Sequence, residues 1–241
     1  MVESSLQVDT VDQNQIILYD RAQIASLPPA LFSPDYLQQL EYLTTTVQGR
    51  GTAWFFYYEN ADYILRHYRR GGMIGRFLHD RYFGKNSSKS RPFQEFSLLL
   101  TMHRSGLPVP EPVGARLQQE GWFYRADLIT KMIPDSVDLA DYLSSQAMAL
   151  EDWQRLGYVI AQFHHEGIYH ADLNAKNILL DADKKFYVID FDKGCFRKAG
   201  RWKTSNLKRL QRSLMKFLAR NEAFHFDSQA WQAFNKGYLA N

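Results

Sequence analysis

The residues with the clearest chemical potential in this chain are two carboxylates and an amide in its second half. Asp172 is followed five residues later by Asn177, and Asp190 comes at the end of the next apolar run. The runs at residues 178–180 and 186–189, joined by a polar turn, predict a β-hairpin. Such a hairpin brings Asn177 and Asp190 to the same end of two paired strands. Oxygen ligands placed in this way, with a carboxylate on the preceding loop, suit a hard cation and a phosphate.

The order of these residues resembles the catalytic and metal-binding loops of the protein-kinase-like fold. The pattern His-x-Asp-x-x-x-x-Asn begins at His170, and Asp-Phe-x begins at Asp190. The resemblance implies that Asp172 orients the attacking hydroxyl and accepts its proton, whereas Asn177 and Asp190 hold a metal ion. It also implies that His170 is a structural brace. The alternative interpretation is an ordinary hairpin with surface carboxylates.

Departures from the protein-kinase pattern narrow the class of substrate. Ala171 stands where the pattern has arginine, so no cation is available there to receive a phosphorylated activation loop. Asp192 replaces the glycine of Asp-Phe-Gly, where it either adds a carboxylate to the metal site or faces solvent. No Ala-Pro-Glu motif follows Asp190, and the chain ends at residue 241. A protein kinase needs a larger C-terminal lobe to bind a polypeptide, so we expect a compact kinase of a small molecule or a lipid headgroup.

Candidate nucleotide-binding residues precede the catalytic stretch in the order expected of a kinase. Gly49 and Gly51 form a glycine turn between two predicted strands, and such a turn lets backbone amides approach phosphates. The next predicted strand carries Arg66 where kinases place lysine, and an arginine can bind phosphate through two donors. Glu95, on a helix predicted over residues 92–104, is the candidate partner of Arg66.

The predicted fold class is α+β, a two-lobed protein-kinase-like fold. Residues 1–133 are expected to form a small, β-rich N-terminal lobe that contains the nucleotide-binding sheet, the glycine turn and a helix. Residues 134–241 are expected to form a short, mainly helical C-terminal lobe with the catalytic and metal loops. Met132 lies in the hinge segment between them, where backbone groups usually contact the adenine ring.

Composition excludes several classes of protein. The 241 residues are 45% hydrophobic and 15% aromatic, which is enough to bury a core. The single cysteine, Cys195, rules out an internal disulfide and fits a reducing compartment. The first residues lack the layout of a signal peptide, and no apolar run approaches the roughly 18 residues that span a bilayer. We therefore expect a protein that is kept inside the cell and has no transmembrane helix.

Positive charge is concentrated, although the net charge is only +3. Ten Lys or Arg and no acidic residue lie between Lys193 and Arg220, and eight basic residues accompany one acid between Arg66 and Arg91. Such fields attract nucleic acid, anionic lipid or a phosphorylated substrate. No stacking motif or zinc pattern supports nucleic acid.

The basic C-terminal segment contains a predicted amphipathic helix. We expect a helix that is capped by residues 204–206 and continues to about Arg220. Its apolar side closes the core, and its other side leaves cations free to meet an anionic membrane surface. Those cations are Lys208, Arg209, Arg212 and Lys216.

A closer resemblance covers residues from about 45 to about 220. The matching blocks are residues 62–72, 91–96, 106–110, 169–179 and 189–194. Together they resemble the 3-deoxy-D-manno-octulosonic acid (Kdo) kinase family of Gram-negative lipopolysaccharide assembly. The resemblance implies that ATP phosphorylates a Kdo hydroxyl, at the 4-position, on a Kdo–lipid A precursor. It places the protein at the cytoplasmic face of the inner membrane as a peripheral protein, and it makes Arg66 compatible with activity.

The chemistry of phosphoryl transfer agrees with these assignments, because it depends on positioning and charge neutralisation. We expect ATP and Mg²⁺ as cofactors, Asp172 and Lys176 as catalytic residues, and Arg66 and Lys176 beside phosphate charge. No stable protein partner is expected. Two alternatives stay open: a kinase of another small acceptor, such as an aminoglycoside or another lipopolysaccharide sugar, and a non-catalytic module that binds ATP without releasing ADP. The missing activation segment disfavours a protein-kinase role.

Overall fold

The chain folds into two compact units. A computed structural model describes residues 6–39, 43–48, 52–68, 82–83 and 90–240. The first unit comprises Met1–Thr101 and Glu111–Met132, and the second comprises Met102–Pro110 and Ile133–Asn241. Within the described ranges, no helix is both long and apolar enough to cross a membrane.

The first unit is built on an antiparallel sheet that has eight strands among the described residues. These strands are β1 (Leu6–Thr10), β2 (Gln15–Asp20), β3 (Leu43–Gln48), β4 (Thr52–Tyr58), β5 (Ala61–His67), β6 (Tyr82–Phe83), β7 (Pro112–Glu120) and β8 (Phe123–Lys131). Their order across the sheet is β1-β2-β7-β8-β5-β4-β3, and β6 pairs with the start of β8. Among the described residues, helix α1 (Pro34–Gln39) lies in this unit, and α2 (Arg91–Arg104) begins in it and ends in the second unit.

Alternation along β5 gives the two faces of the sheet different roles. Tyr63 and Leu65 are buried in a core that includes Phe32 from the N-terminal segment. Arg66 alternates to the other face and contacts Glu95 of α2. The strands predicted on both sides of the glycine turn are confirmed as β3 and β4, whereas Gly49 and Gly51 lie outside the described residues. The sequence pattern also indicates a short amphipathic helix from Asp35 to Leu43, but α1 ends at Gln39 and Leu43 already belongs to β3.

The second unit is mainly helical. Its helices are α3 (Leu139–Ser145), α4 (Leu150–His165), α5 (Trp202–Leu218) and α6 (Ser228–Leu239). Its short strands are β9 (Val137–Asp138), β10 (Ile168–Tyr169), β11 (Ile178–Leu180), β12 (Phe186–Val188) and β13 (Cys195–Phe196). Strand β11 pairs with both β9 and β12, and β10 pairs with β13.

Two helix starts differ from those predicted. The sequence pattern indicates a helix from Val137 to Leu143, but α3 begins at Leu139. Val137 pairs with β11, and the Asp138 carboxylate caps α3 by accepting from the Asp141 N–H at 2.9 Å. The proposed cap at residues 204–206 was wrong, since α5 begins at Trp202. The Asn206 side chain inside α5 is instead bonded to another segment, described below.

Helices α4 and α6 pack so closely that glycine is required at their crossing. A Cβ atom placed on Gly157 would lie 2.0 Å from the Phe234 carbonyl oxygen, and one on Gly237 would lie 1.9 Å from the Gln154 carbonyl oxygen. Helix α6 was not predicted from the sequence. The Asp227 carboxylate caps it by accepting from the Ala230 N–H at 2.8 Å.

Candidate active site

The predicted hairpin is confirmed, and it places the metal-ligand candidates at one end. Strand β11 pairs with β12 in register Ile178↔Val188, and the Ile189 N–H donates to the Asn177 carbonyl at 3.0 Å. Because Ile189 is bonded to Asn177 and Asp190 is the next residue, Asp190 lies close to Asn177 along the paired strands. Its backbone is left-handed, with φ of 62°, a conformation that aspartate tolerates better than most residues. Backbone strain of this kind is concentrated at functional sites.

His170 ties the loop of Asp172 to the segment of Asp190. Its ring Nδ1 accepts from the Asp172 N–H at 3.0 Å, so Nε2 carries the proton and donates to the Ile189 carbonyl at 2.9 Å. The ring also packs on the buried Phe191, with 4.7 Å between ring centroids. Burial lowers the pKa of His170, which keeps the ring neutral and preserves this tautomer. The predicted role of a structural brace is confirmed.

The carbonyl oxygen of Asp172 is held by two amides of the same loop. The Nδ2 atoms of Asn174 and Asn177 both donate to it at 2.9 Å, and the Asn174 Oδ1 accepts from the Lys176 N–H at 2.8 Å. These bonds fix the path of the backbone from Asp172 to Asn177. They also use the amide nitrogen of Asn177, which leaves its oxygen as the atom suited to a metal.

The donor set fits magnesium. Asn177, Asp190 and Asp192 offer only oxygen ligands, which hard cations prefer, and Mg²⁺ usually takes one or two carboxylates with water and substrate phosphates completing its shell. The described part of the chain contains no cluster of three or more His, Cys, Asp or Glu side chains that could hold a metal.

Asp172 forms an ion pair with Arg209, which was expected to be a free cation on the exposed side of α5. The Arg209 Nε donates to Asp172 Oδ1 at 2.8 Å, and an Nη2 hydrogen donates to the same oxygen. Both side chains are about half exposed, at 46% for Arg209 and 53% for Asp172. The expectation that Arg209 remains a free surface cation was therefore wrong.

Lys176 lies against two carboxylates. Its Nζ is 3.3 Å from Asp138 Oδ2 and 3.2 Å from Asp141 Oδ1. Burial acts to lower the pKa of Lys176, but the charges of Asp138 and Asp141 outweigh it, so the pKa is raised. Burial also raises the pKa of Asp138, against the opposing effect of the Asp141 N–H and Lys176. Lys176 is consequently a protonated, ion-paired cation next to Asn177.

In the first unit, Arg66 and Glu95 form the pair predicted from the sequence. The Glu95 carboxylate is buried and receives hydrogen bonds from the Arg66 guanidinium and from the Tyr68 hydroxyl. The Arg66 guanidinium also lies 5.0 Å from the Tyr68 ring centroid. Tyr68 was not singled out beforehand, although its position two residues after Arg66 places it on the same face of the sheet.

The hinge candidate Met132 is already engaged by the sheet. Its N–H donates to the Asp62 carbonyl at 2.8 Å, which extends the pairing of β5 with β8 by one residue. The predicted contact between Met132 and adenine is thereby restricted to its carbonyl oxygen and side chain.

Helix α5 supplies functional neighbours that the sequence analysis missed. The buried Asn206 accepts from the His170 N–H at 3.3 Å and donates to the His170 carbonyl at 2.9 Å. The Ser213 hydroxyl accepts from the Ala175 N–H at 3.2 Å. Together with Arg209, these residues follow an i, i+3, i+7 spacing, which places them on one face of a helix. That spacing was the available signal.

The fold and these two clusters define the class of protein. One part is an antiparallel sheet whose Arg66 pairs with the buried Glu95, and the other is a mainly helical unit in which a loop carries Asp172, Asn177 and Asp190. These are the parts of a protein-kinase-like phosphotransferase. The family model described as "Lipopolysaccharide kinase (Kdo/WaaP) family" matches residues 37–238. The chain belongs to this family, which confirms the resemblance found in the sequence.

Relatives of similar length support the same assignment. A 3-deoxy-D-manno-octulosonic acid kinase of Vibrio vulnificus (strain YJ016) is 39% identical over 223 residues, which cover 92% of this chain and 94% of that protein. The protein of the same description from Pasteurella multocida (strain Pm70) is 38% identical over 235 residues, covering 95% and 98%. That of Mannheimia succiniciproducens is 36% identical over 234 residues, covering 94% and 97%.

Proposed function

We propose that this protein transfers the γ-phosphate of ATP to the 4-hydroxyl of a Kdo sugar on a Kdo–lipid A precursor. The observation that carries the proposal is the loop that presents Asp172 beside Asn177 and Asp190, in a chain of the Kdo/WaaP kinase family. Relatives described as 3-deoxy-D-manno-octulosonic acid kinases supply the acceptor.

In the proposed reaction, Asp172 acts as the base. The acceptor oxygen forms a bond to the γ-phosphorus, the bond from that phosphorus to the β–γ bridging oxygen breaks, and ADP leaves with the bonding electrons. The hydroxyl proton passes to the Asp172 carboxylate. His170 and the two amides that hold the Asp172 backbone keep this carboxylate in place as the acceptor binds.

Asn177 and Asp190 would hold Mg²⁺, which neutralises phosphate charge when it is bound. Lys176 is assigned to phosphate charge as well; in the free protein its own charge is balanced by Asp138 and Asp141. This pairing would keep Lys176 protonated and close to its working position.

We assign nucleotide binding to the predicted N-terminal lobe, residues 1–133. We assign the chemistry on the acceptor to the predicted C-terminal lobe, residues 134–241. Arg66 would bind phosphate oxygens while Glu95 and Tyr68 fix its guanidinium. The backbone amides of Gly49 and Gly51 and the carbonyl of Met132 complete the predicted nucleotide contacts. An arginine is suited to this task because its planar donors match phosphate oxygens.

The acceptor is a lipid, so we place the reaction at the cytoplasmic face of the inner membrane, with the protein bound peripherally. The exposed side of α5 supports this placement, because Lys208, Arg212 and Lys216 project from it to solvent. Anionic surfaces attract such clusters.

The test is release of ADP from ATP in the presence of Mg²⁺, with and without a Kdo-bearing lipid A precursor. We expect the lipid to stimulate ADP release and the phosphate to appear on the sugar. Asp172→Ala and Asp190→Ala should each lower the stimulated rate by at least about 10²–10³-fold, because each removes a group that acts on the transition state. Near-normal turnover by Asp190→Ala would contradict the site assignment.

Other outcomes of the same assay would change the proposed function. ATP binding without ADP release, with or without lipid, would indicate a nucleotide-binding module. Turnover with an aminoglycoside or another lipopolysaccharide sugar, but not with a Kdo acceptor, would move the assignment to that substrate.

A further inference from the structure

We propose that Arg209 binds the carboxylate of the acceptor sugar and thereby selects an acidic sugar for Asp172. The inference rests on the proposed function, because a 3-deoxy-octulosonic acid acceptor carries a carboxylate in addition to its hydroxyls. It goes further than that function by naming the residue that recognises this group.

The position of Arg209 is fixed by the helix that carries it. Three side chains on one face of α5 contact the catalytic loop: Asn206, Arg209 and Ser213. Asn206 and Ser213, on either side of Arg209, bond to backbone groups of the loop. The Arg209 guanidinium is therefore kept beside Asp172 by its own ion pair and also by the bonds that Asn206 and Ser213 of the same helix make to the loop.

The donors of Arg209 are only partly used. Its Nε and one Nη2 hydrogen both serve Asp172 Oδ1, and the Nη1 donors have no partner in the part of the chain that the structure describes. A guanidinium has five N–H donors in a planar fork, so Arg209 can hold Asp172 on one edge and a carboxylate on another. With 46% of the Arg209 side chain exposed, an acceptor can reach the unused edge.

The two oxygens of the Asp172 carboxylate have different roles in this arrangement: Oδ1 binds Arg209 and Oδ2 is left for the acceptor. Arg209 donates to Oδ1 alone, and among the described residues no side chain forms a hydrogen bond or ion pair with Oδ2. Oδ2 is therefore the oxygen that takes the hydroxyl proton. The carboxylate of the acceptor sugar would bind Arg209, and a hydroxyl of the same sugar would bind Asp172 Oδ2. The ion pair between Arg209 and Asp172 would thus hold one sugar at two of its groups.

The experiment compares two acceptors with each enzyme variant: the Kdo-bearing lipid A precursor and the same molecule with its sugar carboxylate converted to a carboxamide. For the unsubstituted enzyme we expect kcat/KM to be roughly ten- to a hundredfold lower on the carboxamide, mainly through KM, since a charge-assisted bond is lost. In Arg209→Gln the ratio of kcat/KM between the two acceptors should fall close to one. Arg209→Lys should give an intermediate ratio.

Arg155→Gln is the matched control. Arg155 is also in the second unit, its side chain is 54% exposed, and it forms an ion pair with an aspartate, Asp152, on α4. This variant should keep the full acid-to-amide ratio. Because the ratio is taken within one variant, a general loosening of the loop in Arg209→Gln would lower both rates and leave it unchanged.

The outcomes separate this inference from the proposed function. An acid-to-amide ratio in Arg209→Gln equal to that of the unsubstituted enzyme would overturn the role of Arg209 and leave the Kdo kinase assignment standing. Equal use of both acceptors by the unsubstituted enzyme would do the same. Failure of the unsubstituted enzyme to phosphorylate any Kdo acceptor would overturn the proposed function, and this inference with it.

Discussion

Asn206 is the residue on which the shape of the catalytic loop depends most directly. It is buried, it lies on α5, and its side chain satisfies both the N–H and the carbonyl of His170. A buried backbone group that loses its partner costs about 1–3 kcal/mol. We expect Asn206→Ala to lower the free energy of unfolding by that amount and also to lower kcat, because His170 positions Asp172. Urea unfolding and ADP release would measure the two effects.

Asn235→Ala is a suitable control for this prediction. Among the residues that the structure describes, the Asn235 side chain donates only to the Trp231 carbonyl of its own helix, at 2.9 Å. Its removal should change stability by no more than about 0.5 kcal/mol. If Asn206→Ala were as stable and as active as Asn235→Ala, the loop would not depend on α5.

Residues of the site could be predicted from the sequence where the signal is local. The spacing from His170 to Asn177 and the short strands after it specify a hairpin, so the brace and the hairpin followed from one stretch. The pairing of Arg66 with Glu95 followed from the resemblance to kinases. Arg209 could not be placed, because its contact with Asp172 depends on how a later helix packs, and a cationic helix face looks the same whether it is free or paired.

At the scale of elements, the packing of α4 against α6 is sensitive to any volume added at its two glycines, Gly157 and Gly237. We expect Gly237→Ala to destabilise the protein by about 1–3 kcal/mol, because the added methyl group would meet the Gln154 backbone and the helices would have to separate. Alanine favours helix by up to about 1 kcal/mol over glycine, so a net loss of stability would show that the clash dominates. Thermal or urea unfolding would measure it.

Gly200→Ala provides the comparison, since a Cβ atom there would lie 3.6 Å from its nearest neighbour, an ordinary contact. This variant should have an unfolding midpoint close to that of the unsubstituted protein. Equal stability of the Gly237 and Gly200 variants would mean that α4 and α6 can move apart at little cost.

Elements were predictable from periodicity, but their ends and partners were less so. The strands on both sides of the glycine turn, the strand that carries Arg66 and helix α2 followed from the sequence pattern. The start of α5 was misplaced because Asn206 looks like a capping residue, yet its amide is used by the distant His170. Helix α6 could have been predicted from the sequence, because a capping residue, Asp227, is followed by Trp231 and Phe234 at helical spacing. Its packing through Gly237 depends on a residue eighty positions earlier, Gly157, which no local pattern reveals.

For the whole molecule, the distribution of charge matters more than its sum. The net charge of +3 is small, but the segment from Lys193 to Arg220 has ten cations and no acid. One of those cations, Arg209, is bound to Asp172, so fewer cations are available to bind lipid than the sequence indicated. The exposed cations that remain on α5 are Lys208, Arg212 and Lys216.

This narrower basic face leads to a prediction about membrane binding. Each cation near an anionic surface contributes about 1 kcal/mol, so replacing Lys208, Arg212 and Lys216 together by Gln should weaken binding to phosphatidylglycerol-containing vesicles by roughly 10²-fold. Binding by the unsubstituted protein should fall as salt is raised and should be weak on vesicles of phosphatidylcholine alone. Vesicle co-sedimentation measures both.

A second triple variant separates a local basic face from simple net charge. Replacing Lys184, Lys185 and Lys236 by Gln removes the same charge from exposed positions of the second unit outside α5. If α5 meets the membrane, this variant should bind vesicles almost as well as the unsubstituted protein, because charges far from the surface are screened. Equal weakening by both triple variants would show that total charge governs attraction to lipid. Helix α5 would then not be the specific membrane-binding element of this enzyme.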